Sequence, residues 1–377
     1  MKVLMISSDR NILKEGSAVS RRMSEYGGLV EELHIIILSD GHRVPKERKI
    51  GENVWAYATN SFASIFRPTD AVSLGKRIVK DKKFSRETDL ITSQDPFECG
   101  WAAVKIRSAS KLALEVQLHT DPFSPYFTGF KNFVRKIIAR KTLKCADSVR
   151  AVSEGLKTGL ESLTRAEITV LPICVNRDGI ENSEAKFDLH DRYPWRFIML
   201  TASRLTREKN IGFIIRVLAQ VRKKFSGAGL IIMGSGPEKG RLMRLVKSLN
   251  LEGAVAFVGW QEDPISFFKT ANLFIQASFF EGYGLSLVEA GLSGLPVVTT
   301  PVGIAKELVD GEDAYIFPPR DIKGFVGGIS DLIENNHKRD YLGLNLRQKL
   351  GSKLLGKDEY LSKLRESWEK AVTNKKQ

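Results

Sequence analysis

Short apolar runs alternate with amphipathic stretches along the whole chain. Val3–Ser7, Leu33–Leu38, Asp89–Thr92, Leu112–Leu118, Ser148–Val152 and Ile168–Pro172 predict strands, and the segments between them read mostly as helices. The pattern restarts with Phe197–Thr201, Gly229–Met233, Val255–Val258, Leu273–Gln276 and Pro296–Thr299. Continuous apolar strands joined by helical crossovers belong to parallel sheets covered on both faces. Two such series predict an α/β chain of two doubly wound, Rossmann-like domains, 1–180 and 193–357. The break is placed in 176–194, a polar stretch with Gly179 and Pro194. A last charged amphipathic helix, 358–377, is expected to pack back on the first domain. Open parallel sheets bind ligands beyond the carboxyl ends of their strands. Two of them facing each other predict a cleft lined by the loops that follow the strands.

Composition narrows the class. No apolar run approaches the roughly 18 residues of a membrane span. The first eight residues lack a cleavage site and read as a strand rather than a signal peptide. Cys99, Cys145 and Cys174 are scattered, with no CxxC and no histidine at zinc-ligand spacing. That argues against a disulfide scaffold and a structural zinc, and the expected location is the reducing cytoplasm.

Charge is the unusual property. The 377 residues hold 58 Lys plus Arg against 44 Asp plus Glu, a net of +14. A chain this basic attracts nucleic acid, anionic lipid or phosphorylated substrates. The excess is spread over both halves, so charge alone does not choose among them. There is no nucleic-acid recognition module and no interleaving of aromatic with basic residues, so nucleic acid is not an expected partner. One segment, 130–144, carries Lys131, Arg135, Lys136, Arg140, Lys141 and Lys144 with no acid, and Phe130, Phe133, Val134, Ile137, Ile138 and Leu143 at helical spacing. Two readings of this basic helix stay open. It covers the sheet with a solvated basic face, the reading slightly preferred, or it sits on an anionic membrane.

Three segments carry candidate chemistry. In the first, a strand ends at about Ala202 and a helix starts near Lys209, so Arg204 and Lys209 flank a strand-to-helix loop after Ser203. Helix amides and two cations there suit a diphosphate, although a pair of solvated surface charges explains them equally well. The second, Gly229–Gly240, runs a strand into Gly234-Ser235-Gly236 and a helix. Its spacing is GxGxxxG, and no acidic residue ends the next strand, so a tight turn approaching a ligand fits better than a dinucleotide site. The third, Ala277–Ala290, places Glu281 in a glycine loop and Glu289 on the helix that follows. Two acceptor-only carboxylates suit a ligand rich in hydroxyls, and the loop amides suit a phosphate or sugar. The plainer alternatives are a helix-start acid for Glu281 and a salt-bridged acid for Glu289.

These residues resemble a known family. The setting Ser-x-x-Glu281-Gly-Tyr-Gly-Leu-x-Leu-x-Glu289-Ala is similar to the signature of retaining GT-B glycosyltransferases of family 4. Ser203-Arg204-Leu205 with Glu208-Lys209-Asn210, Gly234-Ser-Gly236-Pro, Phe257-Val-Gly259, Gly294-Leu-Pro296 and Pro301-Val-Gly303 follow in the family's order. The likeness is strong in 195–320 and weaker in 1–130. It implies GT-B architecture and transfer of a sugar, hexosyltransferase-type, from a UDP- or GDP-sugar to a glycan, glycolipid or small-molecule acceptor. It also implies retention of configuration and a role in polysaccharide, glycolipid or lipid-linked glycan synthesis at the cell envelope. Catalytic roles fall on His119, Arg204, Lys209 and Glu281. Donor binding falls on Gly16, Ser203, Arg204, Lys209, Gly234, Gly236, Glu281, Gly282, Tyr283, Gly284, Leu285 and Glu289. Arg204 and Lys209 stabilise the leaving diphosphate, so no metal and no cofactor are expected. The expected location is cytoplasmic, and the membrane reading of 130–144 would place the chain on the inner membrane face. Two departures stand out: Gly16-Ser17 where many relatives have Gly-Gly, and Pro172-Ile-Cys-Val-Asn176 where relatives often carry Asn-Gly. Competing readings are another GT-B reaction, a nucleotide-sugar epimerase or a phosphorylase, and a basic nucleic-acid-binding protein.

Overall fold

The computed structural model of the chain describes residues 1–41 and 45–375. The last two positions of the expected helix 358–377 and residues 42–44 of the expected first domain lie outside the described residues.

The chain divides into two compact units, Met1–Pro172 with Gly356–Gln377, and Ile173–Leu355. Among the described residues the first is built on eight strands: β1 (Lys2–Ser7), β2 (Glu32–Ile37), β3 (Glu47–Gly51), β4 (Val54–Ala58), β5 (Leu90–Ser93), β6 (Ala113–Leu118), β7 (Ser148–Ala151) and β8 (Glu167–Val170). Their order is β3-β4-β2-β1-β5-β6-β7-β8. All pairs are parallel except β3 with β4. The apolar pattern misses this hairpin. Glu47, Arg48 and Lys49 put charge on β3, which occupies the edge of the sheet and needs no apolar face.

The second unit holds β9 (Phe197–Ala202), β10 (Ala228–Met233), β11 (Val255–Gly259), β12 (Leu273–Gln276), β13 (Val297–Thr299) and β14 (Tyr315–Ile316), ordered β11-β10-β9-β12-β13-β14 and parallel throughout. The order reverses at β9, whose neighbours are β10 and β12. That is the switch point at which doubly wound sheets bind ligands. Ile214, Ile215, Leu218, Leu230 and Ile232 are fully buried beside it.

The dividing line falls at Pro172, ahead of the polar stretch 176–194. Residues 177–186 belong to the second unit because their polar groups are answered there. Arg177 donates to the Gly351 carbonyl at 3.0 Å, Lys269 to the Glu181 carbonyl at 3.0 Å, and Ser266 accepts from the Lys186 amide at 2.9 Å. The C-terminal helix, Lys357–Thr373, is part of the first unit. It buries Tyr360, Leu364, Trp368 and Ala371, and the Tyr360 and Tyr26 hydroxyls share a buried hydrogen bond of 3.0 Å.

The basic helix spans Phe130–Cys145. Only its C-terminal half covers the sheet in the way preferred from sequence: Ala139, Thr142 and Leu143 are buried. Phe130, Phe133, Val134 and Ile137 face solvent, with Phe130 85% and Phe133 60% exposed. The three cysteines form no disulfide.

Candidate active site

The loop after β9 is short and tightly held. The helix expected near Lys209 starts at Ile211, preceded by a 3-10 turn Arg207–Lys209 and by Asn210 in the left-handed region at φ 53°. That turn swings Lys209 toward the loop after β12. Its Nζ donates to both oxygens of Glu281 at 2.6 Å, and the pair is largely enclosed, at 14% and 12% exposure. Ser278 Oγ donates to Glu281 Oε1 at 2.7 Å. The backbone closes the same junction, since the Phe279 amide donates to the Glu208 carbonyl at 2.8 Å. Lys209 and Glu281, far apart in sequence, therefore form one unit. Ser278 is a member that sequence reasoning left without a role, although it opens the Ser-x-x-Glu motif. Arg204 stands apart from this pair, with a 77% exposed side chain 4.0 Å from Glu208.

The glycine turn after β10 packs its glycines closely against protein, while Ser235 and Pro237 stay exposed. Gly234 has φ +121°, and a Cβ there would overlap the Ser203 carbonyl; a Cβ on Gly236 would overlap that of Leu205. Around this crossing the Leu205 amide donates to Ser235 O at 2.8 Å and the Glu238 amide to Leu205 O at 3.0 Å. The turn thus lies tightly against the Ser203–Leu205 loop.

After β12, Gly284 at φ +98° caps the helix Leu285–Leu292. The Tyr283 ring is buried, and burial with the nearby Glu307 carboxylate pushes its hydroxyl up to about 12. Its carbonyl accepts from Ile304 at 2.7 Å, and Gly303, φ +55°, lets the next loop close over it. Among the described residues no hydrogen-bond acceptor takes the amides of Gly282, Tyr283, Gly284 or Leu285. Four free amides at a helix start form an anion-binding end. Glu289 lies in the second turn of this helix. Its carboxyl has no hydrogen bond or ion pair among the described residues, and burial pushes its pKa up to about 7. The salt-bridged alternative for Glu289 is therefore not what the structure shows. Two further buried donors, Asn210 Nδ2 and Gln276 Nε2, also lack partners.

In the first unit, His119 follows β6 and Gly16 precedes the helix Ala18–Gly27. Ser17, the departure from Gly-Gly, caps that helix: its Oγ accepts from the Ser20 amide at 3.0 Å and donates to Asn11 O at 2.6 Å. Gly16, at φ +67°, has open space around it. His119 Nε2 lies 3.2 Å from Gln117 Oε1. Enclosure by protein, then the guanidinium groups of Arg150 and Arg22, hold its pKa low, at about 3. The ring also reaches the surface, and the lowered pKa leaves it neutral at pH 7. Among the described residues no group of three or more His, Cys, Asp or Glu is arranged to hold a metal ion.

Comparison with known proteins gives a consistent picture. Residues 182–349 match the family model described as Glycosyl transferases group 1. The chain is 28% identical over 202 residues to an uncharacterized glycosyltransferase of Methanocaldococcus jannaschii, an alignment covering 52% of this chain and 49% of that one, about half its length. It is 27% identical over 333 residues to the capsular polysaccharide biosynthesis glycosyltransferase CapM of Staphylococcus aureus, covering 84% and 85%. Among solved structures, sucrose-phosphate synthase from Thermosynechococcus elongatus superposes with a TM-score of 0.83 at 18% identity, over 97% of this chain and 98% of that one. Anabaena HepE in complex with UDP superposes at 0.74 and 21%, over 97% and 99%. At these identities the structures speak for the fold.

Proposed function

We propose that the chain, whose residues 182–349 match the glycosyl transferases group 1 model and whose fold is that of GT-B glycosyltransferases, moves a sugar from a nucleoside-diphosphate sugar to an acceptor hydroxyl in polysaccharide synthesis. The observation that carries this reading is the joining of Lys209, Glu281 and the free amides of 282–285 beyond the carboxyl ends of β9 and β12. An ammonium and four amides answer a diphosphate, and Arg204, exposed and loosely held, adds the second cation. Glu289 accepts from paired ribose hydroxyls and Glu281 from sugar hydroxyls. His119 accepts from the donor sugar as a neutral ring. The leaving diphosphate is stabilised by side-chain cations, so turnover proceeds without a metal. Retention of configuration rests on the likeness of the Glu281–Glu289 segment to the family signature. The uridine base is the first to test, because Anabaena HepE binds UDP and UDP-glucose in its solved structures.

The test is release of nucleotide from UDP-, GDP-, ADP- and CMP-sugars in EDTA, with Glu289→Ala as control. Release from one donor, lost in the variant, supports the site. Silence across the panel, with no thermal stabilisation by any nucleotide, sinks it. Retention is read from the anomeric proton of the product.

The same proposal includes peripheral membrane contact. The exposed Phe130, Phe133, Val134 and Ile137 lie on a helix whose charged residues are all basic, which matches an interfacial helix on anionic lipid. No helix among the described residues is long and apolar enough to cross a membrane. Co-sedimentation with phosphatidylglycerol vesicles is expected, weakened by the double change Phe130→Ser and Phe133→Ser. Equal pelleting of both proteins would overturn this part.

A further inference from the structure

A chain of hydrogen bonds inside the first unit has a fixed direction, and it ends on His119. It starts at Glu115, buried on β6 and 3.7 Å from the guanidinium of Arg150. A carboxylate held by an arginine offers acceptors only. One of its oxygens takes the hydroxyl of Ser367, from the C-terminal helix. The other takes the hydroxyl of Thr92 at 2.9 Å. Thr92 has then given its only proton, so its oxygen can only accept, and it does so from Gln117 Nε2 at 2.8 Å. The second proton on that nitrogen points toward Glu115 Oε1 at 3.5 Å. A flipped Gln117 amide would set its oxygen against two acceptors. The carbonyl end of Gln117 is thereby turned to His119, with Oε1 3.2 Å from Nε2.

We propose that Glu115, Thr92 and Gln117 hold His119 as the Nε2–H tautomer, which leaves Nδ1 bare as a hydrogen-bond acceptor. A neutral imidazole carries one proton. If Nε2 must donate to Gln117, Nδ1 cannot donate. Among the described residues Nδ1 has no partner, and the ring is at the surface. The site therefore welcomes a hydroxyl and repels a phosphate or carboxylate oxygen at that position. Gln117 is a positioning residue that acts through His119. The positive charges of Arg150 and Arg22 keep the ring neutral, in agreement with its low pKa. This inference rests on the reading of His119 as a sugar contact only for its consequence in turnover; the tautomer itself does not depend on that reading.

The test uses the full chain labelled with 15N-histidine. Its five histidines are sorted by the signal lost in His119→Gln, and the ring proton is placed by long-range proton–nitrogen correlation at pH 7. A single neutral form with Nε2 protonated and Nδ1 bare is expected. Gln117→Leu should give a mixture of tautomers. A Nδ1–H ring, a charged ring, or an unchanged tautomer in a folded Gln117→Leu protein would overturn the proposal. Thr92→Val gives a second route to the same mixture if Gln117→Leu does not fold. In donor turnover, loss of one oriented hydrogen bond predicts a fall in kcat of about tenfold for Gln117→Leu with a smaller change in KM. If the tautomer behaves as stated but no donor turns over, the tautomer assignment stands and the transferase reading fails alone.

Discussion

At the scale of single residues, the site is defined by how its charges are answered. Glu289 is the group without an answer. Its ordinary value is 4.5, and burial pushes it up to about 7. A carboxyl whose folded pKa is raised contributes its full stability below about pH 4.5, where both states are protonated, and loses it as pH rises through 7. The shift corresponds to at most about 3 kcal/mol. Glu289→Gln is therefore expected to melt near the wild type at pH 4.5 and above it at pH 8, without nucleotide. Equal melting temperatures at pH 8 would refute the burial argument. Ligand hydroxyls would supply the missing partners to the ionised form, so nucleotide affinity should fall as pH drops below 7. Lys209 is in the opposite situation: its charge is already engaged by Glu281. Lys209→Ala should cut donor turnover by about 10²–10³-fold, the loss typical of one preorganised group facing developing charge. Glu281→Gln releases the ammonium, so it should bind nucleoside diphosphate more tightly while turning over donor more slowly. Calorimetry with UDP or GDP checks the sign.

At the scale of elements, glycines let the loops around the site stack on one another. Gly234 and Gly236 bring the turn after β10 against the Ser203–Leu205 carbonyls, and Gly303 folds the loop after β13 over Tyr283. Gly303→Ala combines a left-handed backbone with overlap on the Tyr283 carbonyl. A cost of about 2–4 kcal/mol is expected, read as a loss in the denaturation midpoint of the second unit. The sequence marked these turns as special but not what they approach. The crossing with the β9 loop shows that the glycines of this GxG turn are required by a neighbouring backbone. β4 is an apolar run, Val54–Ala58, that the strand series left out, but its partner β3 was illegible for a related reason. A charged edge strand lacks the apolar alternation that reveals internal ones.

At the scale of the whole molecule, the chain leaves the first unit at Pro172 and returns at Gly356. The returning helix supplies Tyr360, Leu364 and Trp368 to that unit's core and Ser367 to Glu115. Each large side chain is worth about 1.5–3 kcal/mol on burial. Truncation at Gly356 should lower the first unit's thermal transition by about 10 °C or more and leave the second unit's transition in place. A single unchanged melt would contradict that division.

The sequence by itself determined the strand series, the parallel sheets, the two-part organisation, and the segments on which Arg204, Lys209, Glu281 and Glu289 stand. Local periodicity and turn chemistry carry those features, because each depends on residues within a few turns of one another. The tertiary structure alone decided the pairing of Lys209 with Glu281, the isolation of Glu289, the exposure of Phe130 and Phe133, and the Glu115–Thr92–Gln117–His119 chain. Each of these depends on side chains brought together from separate strands and loops, or left without a neighbour, and the spacing of residues along the chain does not encode which surfaces meet.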